Sequence, residues 1–193
     1  MLLDKKSHLF SKTDPKGGYS SMPNTSLSEI CDRFSCQKLP RWQELPDLEL
    51  YMDQVLSLIS RYLGNYPGFD GKGLTASMVN NYVKAGVVPG PSRKKYNRSH
   101  LAHLMIVCIL KPSLPLDAIR QLLVSECSSD SGEQFYNHFC TMFEQSTAES
   151  ASSCLSAGED TSLTDSLCRA ALRAQAEQAL VGKLFSSAFP SDS

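Results

Sequence analysis

The spacing of the apolar residues constrains the fold of this chain more than any other feature, because it repeats at helical intervals. Between residues 47 and 63 the apolar side chains recur mostly every three or four positions, and similar spacing returns within 75–85, 99–110 and 114–123. This period places the apolar residues on one face of an α-helix. A glycine-rich stretch over 64–73 and Pro112 separate these segments as breakers. The sequence therefore predicts a mainly α protein, with at most a small hairpin near residues 87–96.

Capping residues mark where several of these helices begin and end. Asp47 is the predicted N-cap of the first long helix, which runs to about residue 63. Thr75 is the predicted N-cap of a short helix, and Gly86 ends it because glycine is the residue favoured just beyond a helix C-terminus. Ser26 and Glu29 form a capping-box pattern, which indicates one further short helix near the N-terminus.

Composition divides the chain into three parts. Residues 1–38 are predicted to be a flexible N-terminal segment, residues 39–124 a helical domain, and residues 125–193 a helical C-terminal region with a Ser-rich linker. In the last part, an aromatic stripe over 135–143 is expected to lie in a core or an interface, with a small-molecule pocket as the alternative. Residues 146–162 are predicted to be loose, and a final helix of near-heptad apolar spacing begins at Ser162.

The charged residues are unevenly distributed along the chain. Between Gly71 and Leu116 there are seven Lys or Arg residues and no Asp or Glu, although the formal charge of the whole chain is −1. Residues 117–193, by contrast, hold four basic and eleven acidic side chains. A cationic block without acidic neighbours in the sequence favours a surface for a polyanion, such as the phosphate backbone of a nucleic acid. The acidic C-terminal region is not expected to lie on DNA.

Other classes of function have little support. No apolar run approaches the roughly 20 residues of a membrane span, and the start lacks the pattern of a secretory signal. The seven cysteines include no CxxC pair, which favours free thiols in a reducing cytoplasm. His100 and His103 have no carboxylate or CxxC pair to complete a metal site. We expect a cytoplasmic protein with no membrane association, no cofactor, no metal and no enzyme activity.

The segment 75–85 carries the sharpest local pattern. Four polar residues recur at i, i+3, i+4 and i+7 on one helix face, opposite a mostly apolar face: Ser77, Asn80, Asn81 and Lys84. Asn can form two hydrogen bonds with adenine, and Lys can contact guanine or phosphate, so this face has the chemistry to read a major groove. An ordinary solvated helix face is the alternative. Arg93, Lys94 and Lys95, which follow a Pro/Gly turn, together with Arg98 shift the balance towards nucleic acid.

Three stretches of this region resemble a known family. The run from Met78 to Val88, the Lys-Tyr-Asn-Arg of residues 95–98 and the stretch 114–123 are similar to MerR-like regulators. Those proteins have a winged helix-turn-helix, with a recognition helix ending in Tyr-x-x-x-Gly-Leu-Leu, a wing carrying Arg and Tyr, and a following helix pair. From Leu39-Pro-Arg-Trp to about Val124, the chain more closely resembles the bacterial domain-of-unknown-function family 1836. The implied fold is a MerR-like winged helix-turn-helix with additional C-terminal helices.

The MerR-like resemblance also implies which residues contact DNA. Asn80 and Asn81 stand where MerR-like proteins commonly use an Arg-Tyr pair, residues 93–95 occupy the wing, and Tyr96 is the aromatic residue that anchors it. The full set of predicted DNA-binding residues is Ser77, Asn80, Asn81, Lys84, Arg93, Lys94, Lys95, Tyr96 and Arg98.

The expected function is that of a DNA-binding transcription regulator. Double-stranded DNA is the expected partner, and a homodimer on a two-fold site is expected, with the last helix as the candidate seam. The sequence does not identify a small-molecule effector. The alternative is a non-catalytic helical adaptor that has lost DNA binding, which Asn80 in place of arginine favours.

Overall fold

The computed structural model of the protein describes residues 26–64, 66, 73–126, 131–156 and 162–190. A short 3-10 turn at Trp42–Glu44 precedes the second helix, and the described residues contain two isolated β-bridges but no strand. The prediction of a mainly α protein is therefore confirmed. None of the described helices is both long enough and apolar enough to cross a bilayer. The seven helices of the described residues are α1 Leu27–Ser35, α2 Met52–Leu63, α3 Ala76–Lys84, α4 Arg98–Leu110, α5 Leu116–Glu126, α6 Gly132–Leu155 and α7 Leu163–Ala188.

Helix α4 lies at the centre of the fold. Its buried residues occur on every side of the helix, and five of them have at most 1% of their surface exposed: Leu101, Leu104, Met105, Ile106 and Val107. A helix that is apolar all round is stable only when other elements enclose it. Helices α2, α5 and α6 provide that enclosure by packing against α4.

Helix α2 begins at Met52 rather than after Asp47, so the predicted N-cap is wrong. The backbone N–H of Leu50 donates to the Tyr96 carbonyl, and the N–H of Tyr96 donates to the Leu50 carbonyl, both at 2.8 Å. This bridge holds the chain extended just before the helix. Tyr51 is the N-cap instead, and the Gln54 side chain accepts its backbone N–H at 2.8 Å.

Helix α6 is longer than the sequence predicted. Residues 146–155 are helical, so the expectation of a loose segment is wrong there, whereas residues 157–161 lie outside the described residues. Thr147 and Ala151 are buried one turn apart, and α1 packs along α6. Small side chains on a buried helix face allow two helices to pack closely. The local composition of residues 146–155 does not reveal that such a neighbouring helix is present. The aromatic stripe is core, as predicted, because Tyr136, Phe139 and Phe143 are buried.

The segment before α2, which contains Arg41 and Trp42, attaches the predicted domain of residues 39–124 to α6. The guanidinium of Arg41 donates to the Asn137 carbonyl at 3.0 Å and to Glu144 Oε2 at 2.7 Å. The Trp42 backbone N–H donates to Asn137 Oδ1 at 2.9 Å. The first half of α6 therefore belongs to the same packed unit as residues 39–124, although the boundary drawn from composition excluded it.

The two terminal helices differ in how they are held. In α1, Ser26 and Glu29 form the capping box that the sequence indicated, and Cys31 is buried. Residues 1–25 of the segment predicted to be flexible lie outside the described residues. Helix α7 meets α6, and its Gln178 Nε2 donates a hydrogen bond to the Ser113 carbonyl at 2.7 Å. Its five leucines are all more than half exposed: Leu163, Leu167, Leu172, Leu180 and Leu184.

Candidate nucleic-acid interface

Helix α3 presents its polar residues to solvent, as the sequence predicted. The Thr75 hydroxyl accepts the backbone N–H of Met78 at 3.2 Å and so caps the helix. Val79 and Tyr82 are buried and fix the helix to the core. The predicted polar set of Ser77, Asn80, Asn81 and Lys84 is exposed.

The end of α3 redirects the chain back into the core through a glycine. Gly86 has a φ of +70°, and its N–H donates to the Val83 carbonyl at 3.0 Å, while the Val87 N–H donates to the Tyr82 carbonyl at 3.0 Å. These two bonds and the left-handed glycine are the features of a Schellman motif. Val87 and Val88 are consequently buried at 1% exposure each. The predicted helix stop at Gly86 is confirmed.

Residues 92–95 form a tight turn that carries three adjacent cations. Lys95 N donates to the Ser92 carbonyl at 2.8 Å, and the two residues form an antiparallel bridge. The central residues Arg93 and Lys94 have φ values of +50° and +63°. Positive φ at both central positions is the signature of a type I′ turn, which normally contains Asn-Gly. The predicted small hairpin is therefore reduced to this one bridge, and both left-handed positions hold large cationic residues.

Two of the predicted cations have acidic partners that the sequence did not reveal. Lys95 Nζ lies 3.0 Å from Glu49 Oε2, and Arg98 Nη2 lies 3.7 Å from Asp47 Oδ2. Arg98 Nε also donates to the Leu45 carbonyl at 3.1 Å. The positive charge of the acid-free block is thus partly neutralised by Glu49 and Asp47 in the folded chain. The bridge between Leu50 and Tyr96 brings the segment of these two acids beside the turn.

Tyr96 and His100 hold the turn to the core. Tyr96 is 3% exposed, and its ring packs edge-on against His100 at 5.4 Å between centroids. His100 Nε2 lies 3.3 Å from the Gly90 carbonyl oxygen, and Nδ1 lies 3.1 Å from the Asn97 backbone nitrogen and 2.6 Å from Asn97 Oδ1. Burial lowers the pKa of His100, which favours the neutral ring. Tyr96 therefore packs into the core, and its side chain is not on the surface.

The remaining cations define the charged surface. Lys84, Arg93 and Lys94 are exposed and form no ion pair within the described residues. Arg120 of α5 was missed by the sequence analysis. A Cβ placed on Gly86 would lie 3.5 Å from Arg120 Cδ, so this half-exposed arginine borders the end of α3. Arg120 lies outside the acid-free block of the sequence, and only the packing of α5 places it beside α3. Arg120 Nε lies 3.9 Å from Asp117 Oδ1, so its charge is already partly paired. We call Lys84, Arg93 and Lys94 the open cations.

The histidines do not form part of a metal cluster in the described part of the chain. No group of three or more His, Cys, Asp or Glu side chains comes together there with the spacing needed to hold an ion. His103 Nδ1 instead bonds to the Ser99 carbonyl at 2.8 Å, as expected of a structural histidine on a helix.

A family comparison covers all of these candidate residues. The domain of unknown function DUF1836 matches residues 40–139, more than half of the 193-residue chain. The chain belongs to the DUF1836 family. No curated protein and no solved structure matches it. The matched region begins beside Arg41 and ends within α6, so it includes the contacts of Arg41 and Trp42 with Asn137, whereas Glu144 lies beyond it.

Proposed function

We propose that this DUF1836 protein binds double-stranded DNA and regulates transcription. In this proposal α3 enters the major groove, and the 92–95 turn acts as a wing that contacts phosphates. The order of α2, α3, turn and α4 is compatible with the winged helix-turn-helix of MerR-like regulators. Such a regulator would act in the cytoplasm.

The observation that carries the proposal is the conformation of the 92–95 turn. A non-glycine residue in the left-handed region costs about 1 kcal/mol or more, and such strain clusters at functional sites. Arg93 and Lys94 both carry that cost, although Asn-Gly would remove it. They also have no described acidic partner. A requirement for two outward-facing cations at this tip explains both properties.

The exposed face of α3 supplies the chemistry for base readout. Asn80 and Asn81 are adjacent and exposed on a helix whose other face is fixed by Val79 and Tyr82. An asparagine amide forms a bidentate pair with adenine N6 and N7. We infer that these two residues provide sequence preference, while the open cations provide affinity.

A homodimer is part of the proposal. A single short recognition helix and one turn give a small interface, and dimers of such proteins read two half-sites. Helix α7 offers the seam because its leucines lie exposed in the single chain. Its place in the acidic C-terminal region keeps it away from the DNA.

Selection from a random duplex pool tests sequence-specific binding. We expect the native protein to enrich a common site, and Asn80→Ala and Asn81→Ala to relax that preference more than they weaken nonspecific binding. Equal losses on every sequence would contradict base readout. Replacing Arg93, Lys94 and Lys95 together with Glu should abolish binding while the circular dichroism spectrum is retained. Survival of the affinity would contradict the wing assignment.

A helical adaptor is the second candidate. The pairing of Lys95 with Glu49 and of Arg98 with Asp47 favours it, because both pairs reduce the charge available to phosphates. An adaptor predicts no enrichment of any duplex.

A further inference from the structure

The cleft between α6 and α7 is lined by polar side chains together with Cys154, Ala170 and Ala174, and plays no part in the proposed DNA surface. Ser150 and Ser153 line it from α6, and Ser166, Arg169 and Arg173 line it from α7. Its volume is about 120 Å³. Since liquid water occupies about 30 Å³ per molecule, the cleft has room for a group of a few heavy atoms.

Ser166 is the first sign of an absent ligand. Its residue surface is 4% exposed, and its Oγ has no hydrogen-bond partner among the described residues. A buried hydroxyl without a partner is unfavourable, and native proteins satisfy nearly all such groups. It is also the one buried residue that α7 contributes within the described part of the chain. A ligand in the cleft would supply the missing partner.

The two arginines are the second sign. Arg169 and Arg173 lie one helical turn apart, and neither forms an ion pair within the described residues. Glu177 also lines the cleft, so the charged lining consists of two cations and one anion. Guanidinium groups bind carboxylates and phosphates through paired, charge-assisted hydrogen bonds. Hydroxyls of Ser150 and Ser153 can add donors from the opposite wall.

We propose that the α6–α7 cleft binds a small oxyanion of the size of phosphate or sulfate. Arg169 and Arg173 neutralise its charge, and Ser166 donates a hydrogen bond to it. Because the ligand touches both helices, it would fasten α7 to the rest of the fold. This proposal is independent of DNA binding.

Calorimetric titration of the full chain with inorganic phosphate, at constant ionic strength, tests the site. We expect saturable one-site binding, an affinity at least about tenfold lower in Arg173→Gln, and a loss of about three- to tenfold in Ser166→Ala. Arg61→Gln, which changes an exposed arginine on α2, is the matched control and should leave the affinity unchanged. Sulfate in place of phosphate should also bind, whereas acetate should bind more weakly because it has fewer acceptor oxygens.

Two outcomes of the titration would overturn the proposal. One is the absence of saturable binding by the native chain up to about 20 mM phosphate. The other is an equal loss in Arg61→Gln and Arg173→Gln, which would indicate nonspecific charge screening. A separate readout covers folding: in phosphate-free buffer, Ser166→Ala should be as resistant to urea as the native chain, because it removes an unpaired hydroxyl. A large loss of stability would instead show that the Ser166 hydroxyl has a structural partner in the fold, and would contradict its role as a donor to the bound anion.

Discussion

The ammonium group of Lys95 lies 3.0 Å from the carboxylate of Glu49 and 5.9 Å from the centre of the Tyr51 ring. The hydrogen bond to Glu49 raises the pKa of Lys95, and the negative charge of Glu49 raises it further. Both partners belong to the segment just before α2, which the bridge between Leu50 and Tyr96 holds against the turn. In the proposed DNA complex, Glu49 would therefore compete with a phosphate for one of the three cations in the turn.

This competition predicts that neighbouring lysines contribute unequally to DNA binding. Lys94→Gln should weaken binding and reduce the slope of log affinity against log salt by about 1, the value for one lost phosphate contact. Lys95→Gln should have a smaller effect, because its charge is already paired. Glu49→Gln is the informative partner variant, since it frees Lys95 and should tighten binding. Titration of a labelled duplex at several salt concentrations measures all three, and weaker binding by Glu49→Gln would contradict the competition.

The conformation of the turn predicts opposite effects on stability and binding. Arg93→Asn combined with Lys94→Gly gives the turn the residues that its φ values favour, and should stabilise the fold by about 1–2 kcal/mol. The same double variant loses two open cations and should bind DNA more weakly. Urea unfolding measures the first effect and duplex titration the second.

The control for the turn is Arg93→Gln combined with Lys94→Gln. It removes the same charges but leaves long side chains at positive φ, so it should weaken binding without a comparable gain in stability. If the Asn-Gly variant is less stable than the native chain, the strain attributed to these residues is absent.

Gly86 is predicted to be required for its backbone conformation. Gly86→Ala should lower the free energy of unfolding by about 1 kcal/mol, because alanine is disfavoured at a φ of +70°. Steric crowding adds little, since the nearest atom to the new Cβ is Arg120 Cδ at an ordinary 3.5 Å. Gly90→Ala is the matched control, because its Cβ would meet nothing within 4 Å. Equal urea midpoints for the two variants would contradict the importance of the Schellman motif.

Acidic pH is predicted to destabilise the protein through the buried His100 and the partly buried His103. Burial lowers the pKa of both His100 and His103 below the ordinary value of 6.5. The unfolded chain therefore binds protons at a higher pH than the folded one, and stability is full above about 6.5 and declines as the pH falls below it. Urea unfolding at pH 7.5 and 5.5 measures the decline. His103→Gln should reduce the dependence, and an unchanged pH profile would show that His103 does not contribute.

Sequence patterns predicted those parts of the fold that local chemistry decides. The capping box of Ser26, the cap at Thr75 and the stop at Gly86 depend on residues within a few positions, and all three occur as predicted. The polar face of α3 follows from helical period alone. These features require no knowledge of distant contacts.

The predictions that failed depend on contacts between distant segments. Asp47 has the residue type of an N-cap, but the bridge between Leu50 and Tyr96 delays the start of α2. Glu49 and Asp47 reach the cationic block through the same bridge, although they lie more than 40 residues away. The extension of α6 beyond residue 145 depends on tertiary packing, because its Ser/Thr/Ala composition is typical of a loose segment. Arg120 comes to lie beside the end of α3 only through the docking of α5.

The salt dependence of binding to mixed-sequence duplex DNA tests the central claim most directly. Fluorescence anisotropy between about 50 and 200 mM salt would give the slope of log affinity against log salt. Contact of the open cations with phosphates predicts measurable binding at the low end and a slope between about −2 and −4. Absence of binding at about 50 mM salt, or an affinity that does not change with salt, would contradict DNA binding by this surface.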